Sequence, residues 1–291
     1  MPDSQNDSQT RPRVQVGCQG WNYDDWVTPP ASERAIFYPR GTRPEHMLDV
    51  YARAFSTVEV DSTFYAAATD STYDGWKRRT PDGFTFALKL PQEITHEASL
   101  RGARAAEALA EFCRGARRLG PKLAAVLVQL PPQFEATREN RRALEEFLPL
   151  LPTDIRFAFE FRDSFWFEEE LLAPLAHYPH ASLALVEGPW VTRERLWRAA
   201  ATLLDSTDFT YVRWMGARDL VRFDEVARPR DANLDRWAAA IERLRGRVAY
   251  TCAYFSNFYE GHAPASANKL KRLLGEHRVE PEDLESQPSL F

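Results

Sequence analysis

The chain of 291 residues is long enough for one large α/β domain or two small ones, and its 44% hydrophobic and 27% charged residues are ordinary for a globular protein. The formal net charge of −5 argues weakly against a protein held to nucleic acid mainly by phosphate contacts, because such proteins are usually basic. No apolar run approaches the roughly 18 residues that a membrane helix needs, and the first residues are polar. We therefore predict a cytoplasmic protein with no membrane partner.

Strand-like and helix-like segments alternate along most of the chain. We predict a disordered tail at 1–13, one domain at 14–275 and an acidic flexible tail at 276–291. The predicted strands are short, apolar and bounded by turn residues, and they lie at 14–19, 57–61, 84–89, 124–129, 155–160, 182–186, 209–213 and 248–255. Eight parallel strands that alternate with helices predict a single (β/α)8 TIM-barrel-like domain. An open doubly wound sheet is the alternative, but neither GxGxxG nor GxxxxGK[ST] follows the first strand.

The segments between the strands carry helix signals. Met47, Tyr51 and Phe55 repeat at helical spacing on an otherwise polar segment, as expected of a helix packed on a sheet. Thr137 and Thr192 each stand where an N-cap belongs.

The segment 21–44, which follows the first strand, is long, aromatic and rich in proline. A loop of that length inside a compact domain is more often functional than not. We expect it to lie across the barrel mouth, with Trp21 among the ligand-binding residues.

Five predicted strand segments end in polar or charged residues, and a buried strand has no need of a charge at one end. Side chains at the carboxyl ends of barrel strands converge on one face, where chemistry takes place. The residues are Glu59, Asp61, Lys89, Gln129, Glu160, Arg162 and Asn257.

Glu59 and Asp61 are two residues apart on a predicted strand, so they are expected to point the same way. Two carboxylates on a buried strand need partners. They suit general acid/base work or metal coordination, so we predict that both are catalytic. The alternative is a structural ion pair with Lys89 or Arg162.

Lys89 and His96 are also predicted to be catalytic, because Lys89 ends the third strand and His96 follows on the next loop. Glu160 is predicted to be a general base or a metal ligand, and Arg162 to clamp a phosphate or carboxylate. An internal Glu160–Arg162 pair is the alternative to both roles.

Further residues are predicted to contact the ligand. Gln129 would orient it, Arg213 ends the seventh strand close to where many barrels bind phosphate, and Asn268 begins the last helix, where a helix N-terminus could help to hold an anion. The full set of predicted substrate-binding residues is Trp21, Tyr65, Gln129, Arg162, Arg213, Asn257, His262 and Asn268.

Several segments together resemble the domain-of-unknown-function family 72, also called YecE-like. They are VGCQGWNYDDW, FYP, FSTVEVDSTFY, FTFALKLPQEITH, VLVQLPPQF, FAFEFRDSFW, YVRWMG and YFSNFYEGHAPASAN. The resemblance implies a TIM-barrel-like fold and no agreed reaction. This chain departs from the family pattern at Asp61, where Asn is usual, and at Phe258 and Tyr259, where a second Asn and then His or Asp are frequent.

The chain ends in QPSLF, which resembles the short peptide that binds the bacterial sliding clamp. Gln287 would form hydrogen bonds, and Leu290 and Phe291 would fill an apolar groove. Pro288 departs from the usual second residue of that peptide, and an incidental tail is the alternative.

We therefore predict an enzyme that acts on an anionic or phosphorylated substrate, with hydrolysis of a phosphoester or glycosidic bond favoured over redox work because no nucleotide-cofactor motif is present. A divalent metal is left open as a cofactor. The alternative is a DNA replication or repair protein that the sliding clamp recruits through its tail. The substrate is expected to be a small molecule or a nucleic acid.

Overall fold

The computed structural model describes residues 13–286, in which eight parallel strands close into a barrel in sequence order. This confirms the predicted (β/α)8 fold, and every strand end lies within two residues of its predicted position. The strands are β1 (Arg13–Gln19), β2 (Thr57–Val60), β3 (Thr85–Lys89), β4 (Leu123–Gln129), β5 (Phe157–Glu160), β6 (Ala181–Glu187), β7 (Phe209–Trp214) and β8 (Tyr250–Phe255).

Helices follow the strands and surround the barrel. The α-helices are α1 (Pro44–Ala54), α2 (Ser62–Tyr65), α3 (Asp70–Arg78), α4 (Gly102–Ala116), α5 (Arg138–Phe147), α6 (Glu169–Leu172), α7 (Arg193–Ala201), α8 (Asp231–Arg245), α9 (Asn257–Glu260), α10 (Ala263–Leu273) and α11 (Pro281–Ser286). Short 3₁₀ segments lie at Asp24–Trp26, Arg117–Lys122, Leu148–Leu150, Ser164–Phe167 and Ala173–His177, and a π-turn at Glu93–Glu97. As predicted, the hydroxyls of Thr137 and Thr192 cap α5 and α7.

Both faces of the strands are apolar because each strand is covered on both sides. Outward residues such as Val58 and Leu88 join the large core between barrel and helices. Inward residues form a separate cluster in the barrel interior, which includes Ala87, Leu127, Ala158, Tyr211 and Tyr254. This alternation places the last inward residue of each strand at the carboxyl-end face.

Gly17 allows β1 to approach β2 closely. A Cβ atom at this position would lie 2.2 Å from the carbonyl oxygen of Thr57, so a larger residue would push the strands apart. The close approach sets the register in which Gln19 faces Glu59.

The segment after β1 is folded against the rest of the protein. A single bridge joins Val27 to Tyr38, and Trp26, Phe37 and Tyr38 are fully buried. The Trp26 indole packs edge-on against Phe37, so much of the aromatic content of this loop serves packing.

The acidic segment that follows α10 contains a helix in the part the structure describes. Leu284 of α11 is buried, and Glu285 accepts a hydrogen bond of 2.7 Å from Arg40. The expectation of a flexible tail from 276 onward therefore does not describe residues 281–286, which are helical. No helix within residues 13–286 combines the length and apolar character that crossing a membrane requires.

Candidate functional site at the carboxyl end of the barrel

A buried ion cluster fills the barrel interior at the carboxyl ends of the strands. Arg213 donates to Glu59 through two hydrogen bonds, Nε to Oε2 at 2.9 Å and Nη2 to Oε1 at 2.7 Å. Its Nη1 donates to Glu160 and makes a longer contact of 3.5 Å with Gln129 Oε1. Arg213 is only 1% exposed, so its charge is paired inside the cluster and is not accessible to a ligand.

Arg162 extends the cluster toward the barrel mouth. Its Nε donates to Glu160 Oε1 at 2.8 Å and its Nη2 to Gln129 Oε1 at 2.7 Å. The guanidinium lies over the Trp190 ring, 4.5 Å from its centroid. Its Nη1 makes no hydrogen bond with residues 13–286, so this guanidinium keeps a donor for a ligand.

The pKa values of the two glutamates in the cluster are shifted in opposite directions. Burial works against the charged form of Glu160, but the guanidinium groups of Arg213 and Arg162 outweigh it and lower the pKa of Glu160. Full burial raises the pKa of Glu59, against the opposing charge of Arg213. Tyr211 also donates to Glu59 at 2.7 Å, so both glutamates are occupied by partners.

Lys89 stands apart from these ion pairs. Its side chain is buried, with 8% of the residue exposed, and Nζ lies 3.7 Å from the centroid of the Phe64 ring. Lys89 has no salt bridge with any residue between 13 and 286. Burial lowers the pKa of Lys89 to about 8; the charge of Asp61 opposes this shift and that of Arg213 adds to it. Roughly 10% of such a lysine is neutral at pH 7, compared with well under 1% of an ordinary one.

Asp61, whose charge acts on Lys89, lies outside the strand. β2 ends at Val60, and Asp61 takes up a helical conformation (φ −83°, ψ −22°) at the start of α2. The prediction that Glu59 and Asp61 are alternate residues of one strand is therefore wrong at Asp61. Its Oδ1 is buried and has no hydrogen-bond partner among the described residues.

His96 lies on the π-turn after β3, where its ring packs edge-on against Phe64 at 4.9 Å. Partial burial lowers the pKa of His96 to about 4, and the charges of Lys89 and Arg162 contribute, so the imidazole is neutral at pH 7. The turn is followed by Ser99 and Leu100, whose φ angles of 50° and 66° are unusual for residues other than glycine. Backbone strain of this kind often lies near functional sites.

The structure thus brings together most of the residues predicted from the strand ends, namely Glu59, Asp61, Lys89, His96, Gln129, Glu160, Arg162 and Arg213. Other predicted residues lie elsewhere. Asn257 Oδ1 accepts from Trp26 Nε1 at 3.1 Å and from the Ala263 amide at 3.0 Å, while its Nδ2 has no partner within residues 13–286. Trp21 packs edge-on against Trp76, and Tyr65 is 72% exposed.

His262 and Asn268 line a separate cavity along α10. The predicted clamp-binding residues Gln287, Leu290 and Phe291 lie outside the described residues.

Four residues at this end of the barrel were not predicted to contribute. Gln19 ends β1, donates to Met215 and faces Glu59 in the strand register, so the pattern of polar strand ends could have identified it. Tyr211 lies two residues before Arg213 on the same inward face. Phe64 and Trp190 carried no sequence signal, because their role depends on the cations that they cover.

The residues present do not form an evident metal site. Within residues 13–286, no group of three or more His, Cys, Asp or Glu side chains is placed to hold a metal ion. Glu59 and Glu160, the predicted metal ligands, are both bound by arginine.

Comparisons with known proteins agree with this architecture. The model of the family described as "Protein of unknown function DUF72" matches residues 15–289, so the chain belongs to this family. The chain is 30% identical over 160 residues to the UPF0759 protein YecE of Escherichia coli and 31% identical over 160 residues to the UPF0759 protein YunF of Bacillus subtilis. Each match covers about half of both proteins: 54% of this chain and 52% of YecE, and 53% of this chain and 52% of YunF.

Solved structures show the same fold. A DUF72 family protein from Thermotoga maritima superimposes with a TM-score of 0.72 at 25% identity, covering 90% of this chain and 99% of the other. A DUF72 family protein from Enterococcus faecalis gives a TM-score of 0.70 at 18% identity, covering 92% and 97%.

Proposed function

We propose that this member of the DUF72 family is an enzyme that binds an anionic or phosphorylated substrate at the carboxyl end of its barrel and uses neutral Lys89 as a general base. The observation that carries the proposal is a buried lysine without a salt bridge among residues 13–286, at the same end of the barrel as a carboxylate oxygen of Asp61 that has no partner among the described residues. A lysine works as a base only in its neutral form, and burial without a paired anion favours that form.

The anionic part of the substrate would bind Arg162. Its Nη1 is the donor left after Glu160 and Gln129 have taken Nε and Nη2, and these two partners hold the guanidinium in one orientation. An arginine held in place loses little conformational entropy when it binds a phosphate or carboxylate oxygen. Trp190, which covers the other face of the guanidinium, restricts it further.

Hydrolysis of a phosphoester suits these residues best, because glycosidic hydrolysis, the other reaction that the sequence suggested, usually needs two available carboxyl groups beside the bond. Lys89 would take a proton from the attacking water, and Asp61 Oδ1 would accept a hydrogen bond that orients that water. Arg162 would stabilise negative charge as it develops on the substrate. Glu59 and Glu160, which the sequence suggested as the base, would instead hold the two arginines in position.

The test is turnover on a panel of chromogenic phosphomonoesters, phosphodiesters and glycosides. We expect Lys89→Met to lower kcat by a factor of about 10²–10⁴, the usual contribution of a general base. Lys271→Met is the matched control, since Lys271 is another partly buried lysine over a phenyl ring, that of Phe55, but lies on α10. No turnover by the wild-type protein on any member of the panel, or undiminished turnover by Lys89→Met, would contradict the proposal.

We also propose, from the sequence of the tail, that QPSLF recruits the protein to a bacterial sliding clamp. Helix α11, which precedes these residues, is packed on the domain through Leu284 and the Arg40–Glu285 ion pair. The test is the affinity of a sliding clamp for the full chain and for a chain without its last five residues. Loss of binding on truncation would support recruitment, and equal binding or none in both forms would contradict it.

A further inference from the structure

A cavity lies along α10 and shares no residue with the ion cluster at the carboxyl end of the barrel. Its volume is about 650 Å³, within the range of sites that bind small molecules. One wall is the segment from Ser32 to Phe37, and another is the loop around Glu225. The floor is the first three turns of α10, and residues 278, 280 and 281 border the far end.

Two nearly buried polar side chains border this cavity, and each has a covered atom that lacks a hydrogen-bond partner among the described residues. His262 is 5% exposed and its Nε2 is unpartnered, and Asn268 is 9% exposed and its Oδ1 is unpartnered. Asn268 Nδ2 donates to the Val279 carbonyl at 3.0 Å, which fixes the amide so that Oδ1 remains the acceptor. A buried polar atom without a partner costs free energy, so such atoms call for an explanation.

Two arginines that line the cavity, Arg34 and Arg272, have no ion pair among residues 13–286. Lys269 is paired with Asp231 at 2.9 Å, and Arg278 with Glu280 at 2.7 Å.

Two of the three acidic side chains that line the cavity are paired with arginine. Asp224 pairs with Arg222, which leaves Glu225 as the acidic lining residue without an ion pair in the described chain. The unpaired charge of the lining is therefore positive.

The N-terminus of α10 adds one free backbone donor near the cavity. The Ala263 amide donates to Asn257 Oδ1 and the Ser266 amide to the His262 carbonyl, and Pro264 has no amide hydrogen. The Ala265 amide, which lines the cavity, has no partner within residues 13–286. A free amide at the positive end of an 11-residue helix favours an anion.

We propose that this cavity binds a small phosphorylated molecule that also carries hydroxyl groups. The phosphate would lie against Arg34, Arg272 and the first turn of α10. Asn268 Oδ1 is covered in this structure, so a hydroxyl would donate to it after a side-chain movement that opens it to the cavity. Burial lowers the pKa of His262 to about 3, with the charge of Arg34 contributing, so its imidazole is neutral and able to donate one hydrogen bond. An anion alone would leave Asn268 Oδ1 without a donor, which is why the ligand class includes hydroxyl groups.

Isothermal titration calorimetry with ribose 5-phosphate, glycerol 3-phosphate and unphosphorylated ribose tests this site. We expect at least one of the two phosphate esters to bind and ribose not to bind. A double variant with Arg34→Gln and Arg272→Gln should weaken binding by about tenfold or more, since both guanidinium groups are lost. Both arginines are exposed, so the variant should fold, which its unchanged melting temperature would verify.

Two controls separate this site from the barrel mouth. Arg138→Gln removes an exposed arginine elsewhere on the surface and should not change the affinity measured by calorimetry. Arg162→Gln alters the mouth and shows which part of the measured binding, if any, takes place there. Failure of both phosphate esters to bind, equal binding of ribose, or undiminished binding by the double variant would overturn the proposal. A loss of binding in Arg162→Gln would place the bound phosphate at the mouth instead.

Discussion

The two ends of the barrel interior are both polar, but they differ in whether all of their buried polar side chains have partners. At the amino end, Gln15, Thr57, Thr85, Tyr250 and Tyr254 form a network of neutral groups, in which Thr57 contacts the Tyr254 hydroxyl at 2.8 Å and Thr85 donates to Thr57 at 2.9 Å. None of these five side chains has a buried polar atom without a partner. At the carboxyl end, the Glu59–Arg213–Glu160 cluster is paired, while Asp61 Oδ1 has no hydrogen-bond partner and Lys89 no salt bridge among residues 13–286.

The difference shows that polarity inside a barrel does not by itself indicate a site. A network of hydroxyl and amide groups can fill the narrow interior at modest cost when every donor finds an acceptor. An unpaired lysine is expensive to bury, and it is retained only where other interactions stabilise the fold. This cost is the reason we propose the carboxyl end, and not the amino end, as the functional site.

The largest expected effect on stability comes from replacing Arg213, the cation that pairs with both glutamates. Arg213→Met should lower the free energy of unfolding by about 3–5 kcal/mol, because it leaves Glu59 and Glu160 buried without this partner. Urea denaturation followed by tryptophan fluorescence measures the change. A loss below 1 kcal/mol would show that the cluster does not depend on Arg213.

Replacing Lys89 should change the free energy of unfolding in the opposite direction. Lys89→Met should raise the free energy of unfolding at pH 7 by about 1–2 kcal/mol, because a buried ammonium is exchanged for an apolar chain of similar length.

The effect of Lys89→Met should also depend on pH. The folded pKa is about 8 and the unfolded pKa near 10.5, so the folded state binds fewer protons between these values and wild-type stability rises there with pH. The advantage of Lys89→Met should therefore be full below pH 8 and decline above it. Denaturation curves at pH 7 and pH 9.5 compare the two proteins, and an advantage that grows with pH would contradict the depressed pKa.

A smaller effect is expected at the amino end. Thr85→Val keeps the side-chain shape but removes a hydroxyl that bonds to Thr57, and it should lower the free energy of unfolding by about 1–2 kcal/mol. Turnover at the other end of the barrel should be unchanged. A Thr85→Val variant that lost activity but kept its stability would show that the amino end also contributes to activity, contrary to our proposal.

The smallest expected effect is on a single pKa. The charge of Asp61 raises the pKa of Lys89, so Asp61→Asn should lower that pKa below its wild-type value. The pH dependence of kcat/KM would show its lower inflection moving to a lower pH. An inflection that moves upward would mean that Asp61 does not act on Lys89 through its charge.

The fold was predictable because its signals are local. Apolar runs with turn residues at their ends defined the strands, and the cap residues Thr137 and Thr192 marked two helices. Polar strand ends located the site, but the strand position matters as well: Glu187 also ends a strand, yet it points outward and accepts from Trp237 Nε1 at 2.8 Å. Only the inward alternation separates Glu187 from Glu160.

The pairing of charges was not predictable from the sequence. Arg213 on β7 reaches Glu59 on β2 and Glu160 on β5, and these partners are set by barrel closure and strand tilt rather than by spacing along the chain. The position of Asp61 depends on where β2 gives way to α2. The helix at Pro281–Ser286 depends on a core position for Leu284 that composition does not reveal.

The pKa of Lys89 is the quantity that tests this account most directly. Competitive labelling with a trace of acetic anhydride across pH 6–11, read by mass spectrometry of the peptide that contains Lys89, gives the pH of half-maximal reactivity. We expect that midpoint near pH 8, where the neutral amine becomes the major form of the buried side chain. A midpoint near the ordinary lysine value of about 10.4 would mean that Lys89 is solvated or paired, and the carboxyl end would then hold no base of the kind we propose.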